Sequence, residues 1–309
     1  MPPELRAAVA LAELRGNPYF AARAAELFAE TVYLSARPDP GGLKAVMDGF
    51  DVVIVGARER ITADLLTDAT RARIVGTLSI GTDHLDLVAL EKRNIRVFNS
   101  PTANVRAVSE HNLALAFGLA KRLKEGDLSM RRGEGRAGLS GSAFEIGGKT
   151  VGVIGYGRIG KATARLFSAV GARVIATSRT RTEGRDGDIR FVPPTELLAT
   201  AQVVVLAVPL TDETRGILDA TALDALAPGT LVINTCRPDL VDHAHLRRLL
   251  ADGRLAGFGA DYDEDIEALT GLPNCLITPH IAGLTAEAND RIDNDLIDAI
   301  AYHLSERTT

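Results

Sequence analysis

This 309-residue sequence predicts an α/β fold built from two doubly wound parallel-sheet units of different size. Short β-branched runs alternate with helical stretches along most of the chain, the pattern of βαβ units packed around a parallel sheet. One of these runs leads straight into a glycine-rich turn and a helix. The length suits about two domains on the usual scale of roughly 100–200 residues each, and 46% apolar with 24% charged residues suits a sizeable core.

In the first hundred residues the strand candidates are 8–14, 31–35, 52–55, 73–76 and 96–99. Helical stretches at 19–30, 43–48, 62–70 and 85–92 separate them, and Gly16-Asn17-Pro18 and Asp39-Pro40-Gly41-Gly42 supply turns. A long helix follows over 105–123, its apolar residues recurring at three and four. The glycine-rich, mixed-charge stretch 124–148 is expected to be an extended connection. A second unit then offers strands at 150–154, 173–177, 202–207, 230–234, 257–260 and 275–278, and an amphipathic helix over 286–303 closes the chain.

A net charge of −5 with scattered basic residues argues against nucleic acid or an anionic membrane surface as partner. No apolar run approaches the roughly 18 residues of a membrane span. An early Glu4 breaks any basic-then-apolar leader pattern. Cys236 and Cys275 form neither a metal spacing nor a disulfide framework, so no metal is expected and a reducing cytoplasm is.

Thr150–Gly160 joins an apolar strand to a helix through Gly155-Tyr156-Gly157-Arg158-Ile159-Gly160. Gly155 permits the tight turn, Gly157 lets backbone approach a pyrophosphate, and Gly160 lets helix and strand pack closely. Exposed N–H groups and the helix dipole favour the anion. The motif alone is weak and could be a bland turn. Here a strand precedes it, and a helix and a second strand follow, which is the context dinucleotide binding requires. At the end of that second strand, NAD-binding proteins usually carry an acid for the ribose 2′-hydroxyl. This chain has Ser178-Arg179-Thr180-Arg181 instead, whose hydroxyls and guanidinium groups suit a 2′-phosphate. NADP is therefore the expected cofactor, with NAD the alternative; a solvated Ser/Arg turn is the bland reading.

The phosphate loop, Val208-Pro209-Leu210-Thr211, Asn234-Thr235-Cys236-Arg237 and Thr278-Pro279-His280 occur in that order. Gly81–Asp86 and Asn99–Asn104 followed by Ser109-Glu110-His111 add to the pattern. Together they resemble the D-isomer-specific 2-hydroxyacid dehydrogenases, which include glyoxylate/hydroxypyruvate reductases, phosphoglycerate dehydrogenase, formate dehydrogenase and phosphite dehydrogenase. The resemblance is strong from Gly76 to Gly283. It implies two Rossmann-like domains with an interdomain cleft: residues 1–100 plus 285–309 as the substrate-binding domain, and 101–284 as the dinucleotide-binding domain. It also implies a homodimer formed through the 101–148 connection.

The resemblance assigns roles. Arg237 binds the carboxylate and carbonyl of a small 2-oxo acid, a task that suits its fork of donors. His280 exchanges a proton with the carbonyl oxygen. Asp261 bonds the nicotinamide carboxamide, and Val208, Pro209, Thr214, Thr235 and Cys236 contact the cofactor beside the phosphate loop. Ser79, Ile80 and Gly81 offer backbone N–H groups to the substrate carboxylate. His111 is expected to be a structural contact, and His243, His245 and His303 to be solvated.

The sequence departs from the family at two places. Pro238 stands where Gly normally follows the arginine. The family's glutamate, which bonds the histidine and favours its protonated form, is expected five residues past Asp261, where Ile266 stands. Glu264 or Glu267 fills the place from a shifted backbone, Glu264 being nearer the strand end, or the acidic cluster is a solvated loop and the pair is absent. The expected function is a reversible, NADP(H)-preferring oxidoreductase of glyoxylate or hydroxypyruvate type. The alternatives are a dehydrogenase for another donor such as phosphite, and a non-catalytic, cofactor-binding sensor or corepressor-like protein.

Overall fold

The computed structural model describes residues 4–262 and 267–306, with backbone alone at 267 and 268. It divides into two compact units, Met1–Asn104 with Thr285–Thr309, and Val105–Leu284.

In the first unit β1 (Arg6–Val9), α1 (Pro18–Leu27), β2 (Glu30–Tyr33), α2 (Pro40–Gly49), β3 (Val52–Val55), β4 (Ile74–Thr77), α3 (Leu87–Lys92) and β5 (Arg96–Phe98) follow one another. The strands form one parallel sheet in the order β2-β1-β3-β4-β5. β3 is Val-Val-Ile-Val and wholly buried, as befits a strand covered on both faces. Val53 and Val55 pack with Leu43 and Met47 of α2, while Val52 and Ile54 pack with Phe20 of α1 and with Leu296, Ile297 and Ile300 of the last helix, Ala286–Glu306. Each such side chain stabilises the unit by roughly 1.5–3 kcal/mol. Asn17 and Asp39 cap α1 and α2 ahead of Pro18 and Pro40, whose missing N–H costs nothing at a helix start.

The second unit contains α4 (Val105–Ala120), α5 (Leu123–Arg131), β6 (Thr150–Ile154), α6 (Arg158–Ala169), β7 (Arg173–Thr177), β8 (Arg185–Asp186), β9 (Ile189–Phe191), α7 (Pro194–Thr200), β10 (Val203–Leu206), α8 (Ala220–Asp224), β11 (Leu231–Asn234), α9 (His243–Ala251), β12 (Gly257–Asp261), α10 (Glu267–Thr270) and β13 (Cys275–Thr278). The sheet order is β13-β12-β11-β10-β6-β7-β9-β8, parallel except for the β8–β9 hairpin. Strand order reverses between β6 and β10. Open α/β sheets bind ligands at the carboxyl ends beside such a switch point, and the glycine-rich turn leaves β6 there.

Several local expectations change. Residues 12–16 form a 3-10 turn rather than the end of β1. The expected helix at 62–70 is one 3-10 turn, Ala63–Leu65, because short polar side chains compete with helical bonding: Thr67 N–H donates to Thr70 Oγ1. Within the expected extended connection, Leu123–Arg131 is helical despite Gly126. The Asp127–Arg131 pair spans one helical turn, and the Glu125 carboxylate accepts from Ser140 N–H and Arg122. The last helix runs past His303 to Glu306.

Candidate active site

The glycines of the phosphate loop divide the work between shape and space. Gly155 has φ +97°, and a methyl group there would strike the carbonyl oxygen of Ala207 and crowd Val208. A methyl at Gly160 would strike the Gly155 carbonyl oxygen. Both glycines are therefore dictated by how β6, α6 and the end of β10 approach one another. Gly157 is different: a methyl there meets nothing within 4 Å. Its absence of side chain matters only to something placed against it. Gly157 is also the N-cap of α6, and no side chain caps the helix. Open space above an uncapped helix start is what a pyrophosphate needs, so the loop fits a dinucleotide.

The flanking candidates differ in what holds them. Tyr156 turns to β8 and β9, its hydroxyl donating to Asp186 at 3.2 Å and its ring edge-on to Phe191. Arg158 is exposed, and the Ile159 carbonyl accepts from Ser109 Oγ at 3.4 Å. Ser178 and Arg181 exchange backbone hydrogen bonds across a tight turn with Arg179 and Thr180 exposed at its tip. Arg181 lies 3.9 Å over the Phe191 ring, whereas Arg179 makes one exposed contact, with Glu213 at 3.4 Å. Arg179 is therefore the more exposed cation of the turn and Arg181 its anchor. After β10, Val208 and Pro209 lead into a turn shaped by Thr214, whose hydroxyl donates to the Pro209 carbonyl at 2.6 Å and accepts from Thr211 N–H at 2.8 Å.

Arg237 follows β11. Fully buried Asn234 templates its turn, accepting from Cys236 N–H at 2.9 Å and donating to the Arg237 carbonyl at 2.8 Å. Pro238 starts a one-turn 3-10 helix, a first position where proline fits, so the change from glycine is accommodated. Arg237 is partly buried, and its guanidinium donates to the neighbouring Cys236 carbonyl at 2.8 Å. Burial pushes the Cys236 thiol up to about 11, which leaves it protonated and unreactive at neutral pH. Thr235 donates its hydroxyl to Asn112 Oδ1 at 2.9 Å.

His280 follows β13 and is exposed, with φ +54°. A left-handed backbone is uncommon for a residue with a side chain and clusters at functional sites. The adjacent strand β12 explains how it is held. Asp261, 1% exposed at the end of β12, accepts from Ile281 N–H at 2.8 Å, Ala282 N–H at 2.7 Å and Thr278 Oγ1 at 2.5 Å. The carboxylate expected to face a cofactor thus has both oxygens engaged in shaping the histidine turn. Glu264 lies outside the described residues. Glu267 begins the short α10, and its side chain also lies outside them.

His111 donates or accepts at Thr278 Oγ1, 2.9 Å away. Burial pushes its pKa below the ordinary histidine value, opposed in part by Asp261 at 3.9 Å. His243 and His303, expected to be solvated, are partly buried against Phe258 with Tyr262 and against Phe98, because each sits on the inward stripe of its helix. His245 bonds Asp224 at 2.7 Å. In the first unit, the turn carrying Ser79, Ile80 and Gly81 leaves the carboxyl end of β4. It is shaped by Ser79 N–H donating to Thr77 Oγ1 at 3.2 Å and by Asn99 donating to the Ile80 carbonyl at 2.8 Å. Among the described residues no cluster of His, Cys, Asp and Glu could hold a metal, and no helix is long and apolar enough to cross a membrane.

Sequence patterns singled out Arg237, His280 and the glycines but gave no role to Asn112, Thr163, Asn234 or Thr278, the polar groups that hold those turns. Asn234 acts within its own turn, but the partners of Asn112, Thr163 and Thr278 lie far away in the chain, 167 residues in the case of His111 and Thr278.

Known proteins resemble this chain in sequence and fold. Residues 113–282 match the family pattern described as D-isomer specific 2-hydroxyacid dehydrogenase, NAD binding domain. D-3-phosphoglycerate dehydrogenase of Mycobacterium tuberculosis (strain ATCC 25618 / H37Rv) is 33% identical over 275 residues, covering 87% of this chain and 52% of that protein. The chain thus spans about half the length of that relative. Glyoxylate reductase of Pyrococcus furiosus is 33% identical over 252 residues, 78% of this chain and 75% of that one. The solved structure of D-2-hydroxyisocaproate dehydrogenase superposes with a TM-score of 0.86 at 26% identity, covering 98% of each chain. With the family's cofactor-domain pattern running from α4 through the His280 turn, this chain belongs to the D-isomer-specific 2-hydroxyacid dehydrogenase family.

Proposed function

We propose that this chain reduces small 2-oxo acids of glyoxylate or hydroxypyruvate type to the corresponding 2-hydroxy acids, reversibly and with NADP(H) preferred to NAD(H). The observation that carries the reading is the placement of Arg237 and His280 at the same sheet edge as the phosphate loop, after β11 and β13 with Asp261 ending the strand between them. When bound, the nicotinamide cofactor supplies the hydride. Everything else falls to the chain's own side-chain and backbone groups.

Arg237 presents two parallel N–H donors to the substrate, one set suited to its carboxylate and the other to the carbonyl oxygen on which charge develops. His280 donates a proton to that oxygen during reduction and takes one from the hydroxyl during oxidation. The turn of Ser79, Ile80 and Gly81 offers backbone N–H groups to the carboxylate. Asp261 orders the His280 turn and stands next to the carboxamide end of the cofactor; Glu264, ahead of Glu267, is the proposed carboxylate partner of the histidine. Ser178, Arg179 and Thr180 receive the 2′-phosphate, with Arg179 free enough of partners to move onto it. The chain works as a homodimer, its partner meeting the 101–148 segment.

A panel of 2-oxo acids assayed with NADPH and NADH tests the proposal. Turnover of glyoxylate or hydroxypyruvate with a higher kcat/KM for NADPH is expected, and it is lost in Arg237→Ala and His280→Ala. NADPH binding without turnover of any 2-oxo acid would instead identify a sensor.

A further inference from the structure

His280 adopts a left-handed backbone conformation, φ +54°, that strains a side-chain-bearing residue, so the surroundings must impose it. The Asp261 carboxylate does so through Ile281 and Ala282 N–H. Proton counting extends the chain of bonds. The Thr278 hydroxyl faces two acceptors that cannot donate, Asp261 Oδ1 at 2.5 Å and the Ala260 carbonyl at 3.2 Å, so its single proton is taken up on that side, with the nearer, charged carboxylate as the main acceptor. Thr278 Oγ1 then has only a lone pair to offer His111 Nε2 at 2.9 Å, and neutral His111 must carry its proton on Nε2. The result is a directed relay from His111 N–H through the Thr278 hydroxyl to Asp261 and on to the histidine turn.

The next residue of α4 does the corresponding work on the other side. Asn112 is fully buried; its Oδ1 accepts from Thr235 Oγ1 at 2.9 Å, two residues before Arg237, and its amide donates to Thr163 on α6 at 3.2 Å. One helix therefore touches the arginine turn, the histidine turn and the cofactor helix with two consecutive side chains.

We propose that α4 is a brace holding the Arg237 and His280 turns in register, with His111, Thr278 and Asn112 as positioning residues. The inference rests on the reaction proposed above for its kinetic consequence, but its structural part stands on the hydrogen bonds alone. The test compares Thr278→Val, which removes the hydroxyl, with Thr278→Ser, which keeps it, and adds His111→Leu beside His111→Gln on a separate element. Amide exchange at Ile281 and Ala282 is followed in the full chain, together with kcat and KM.

Thr278→Val and His111→Leu are expected to speed exchange at both amides at least tenfold and to lower kcat at least tenfold, with KM for NADPH and for the 2-oxo acid within threefold of the parent. Thr278→Ser and His111→Gln are expected to restore all readings to within threefold. Unchanged exchange in Thr278→Val, or a serine variant as impaired as the valine one, overturns the brace. If Thr278→Val does not fold, His111→Leu decides in the same way. A parent protein inactive on every 2-oxo acid would remove the proposed reaction and leave the exchange comparison still to decide the brace.

Discussion

Two turns leave the same edge of the eight-stranded sheet and are built by opposite means. The turn after β6 is made of backbone: its glycines let chain segments approach within distances that no side chain survives, and its function resides in N–H groups and open space. The turn after β13 is made of side chains. A buried carboxylate, a threonine hydroxyl and a helix histidine force His280 into a left-handed conformation and leave its imidazole exposed. The difference teaches why one turn carries a local motif and the other does not. Glycine spacing is written in consecutive residues, whereas the support of His280 is gathered from β12, β13 and α4.

The contrast breaks most visibly at the chemistry. Replacing His280 with Ala should lower kcat by about 10²–10⁴-fold, the usual contribution of a positioned acid–base group. Cofactor affinity, followed by NADPH fluorescence, should stay within threefold. A matching loss of NADPH binding would mean the two turns are not separable.

Stability sharpens the comparison next. Gly160→Ala should cost about 3 kcal/mol in urea unfolding, since the new methyl meets backbone that cannot withdraw. Gly157→Ala should leave unfolding within about 0.5 kcal/mol of the parent and weaken NADPH binding at least tenfold. Equal unfolding losses in both variants would show that Gly157, too, serves only the fold.

A third carboxylate supplies the control. Asp51 in the first unit, 4% exposed, accepts from Arg6 N–H and from two nitrogens of Arg71, each at 2.9 Å. Burial alone would raise its pKa, but Arg71 and the Arg6 N–H outweigh it and hold the group below the ordinary carboxylate value. A depressed carboxyl contributes stability above the unfolded-state pKa and loses it as pH falls through the folded one. Asp51→Asn should therefore cost about 1–3 kcal/mol at pH 7, and the gap to the parent should narrow as the pH is lowered below 4, read by thermal unfolding across pH. A gap independent of pH would contradict the sign. Because Asp51 supports neither turn, kcat at pH 7 should be unaffected.

The smallest change concerns the coenzyme. Ser178→Asp places a carboxylate beside the expected 2′-phosphate and should shift the NADPH-to-NADH ratio of kcat/KM at least tenfold toward NADH. No shift would leave the Ser178–Arg181 turn as solvated surface.

Strand identities were largely legible because their signal is local: β3, β6, β7 and β13 occupy the residues expected from β-branched runs. The hairpin of β8 and β9 was not, since Arg185–Asp186 and Ile189–Phe191 are short and charged. Helix α5 was hidden by Gly126 and its charges, which the Asp127–Arg131 pair offsets only once the helix exists. At the site, Arg237 and His280 stand in recognisable tripeptides, but what Asp261 holds could not be read from Asp261. Its partners are 17 to 21 residues later and engage it only after β12 and β13 pair.

The proposed reaction requires Arg237 and His280 to act together on a 2-oxo acid. NADPH oxidation with glyoxylate and with hydroxypyruvate, measured for the parent, Arg237→Ala and His280→Ala, tests it most directly. Turnover by the parent, a rise in KM and a fall in kcat for the arginine variant, and a loss confined to kcat for the histidine variant are expected. Parental rates in either variant would contradict it.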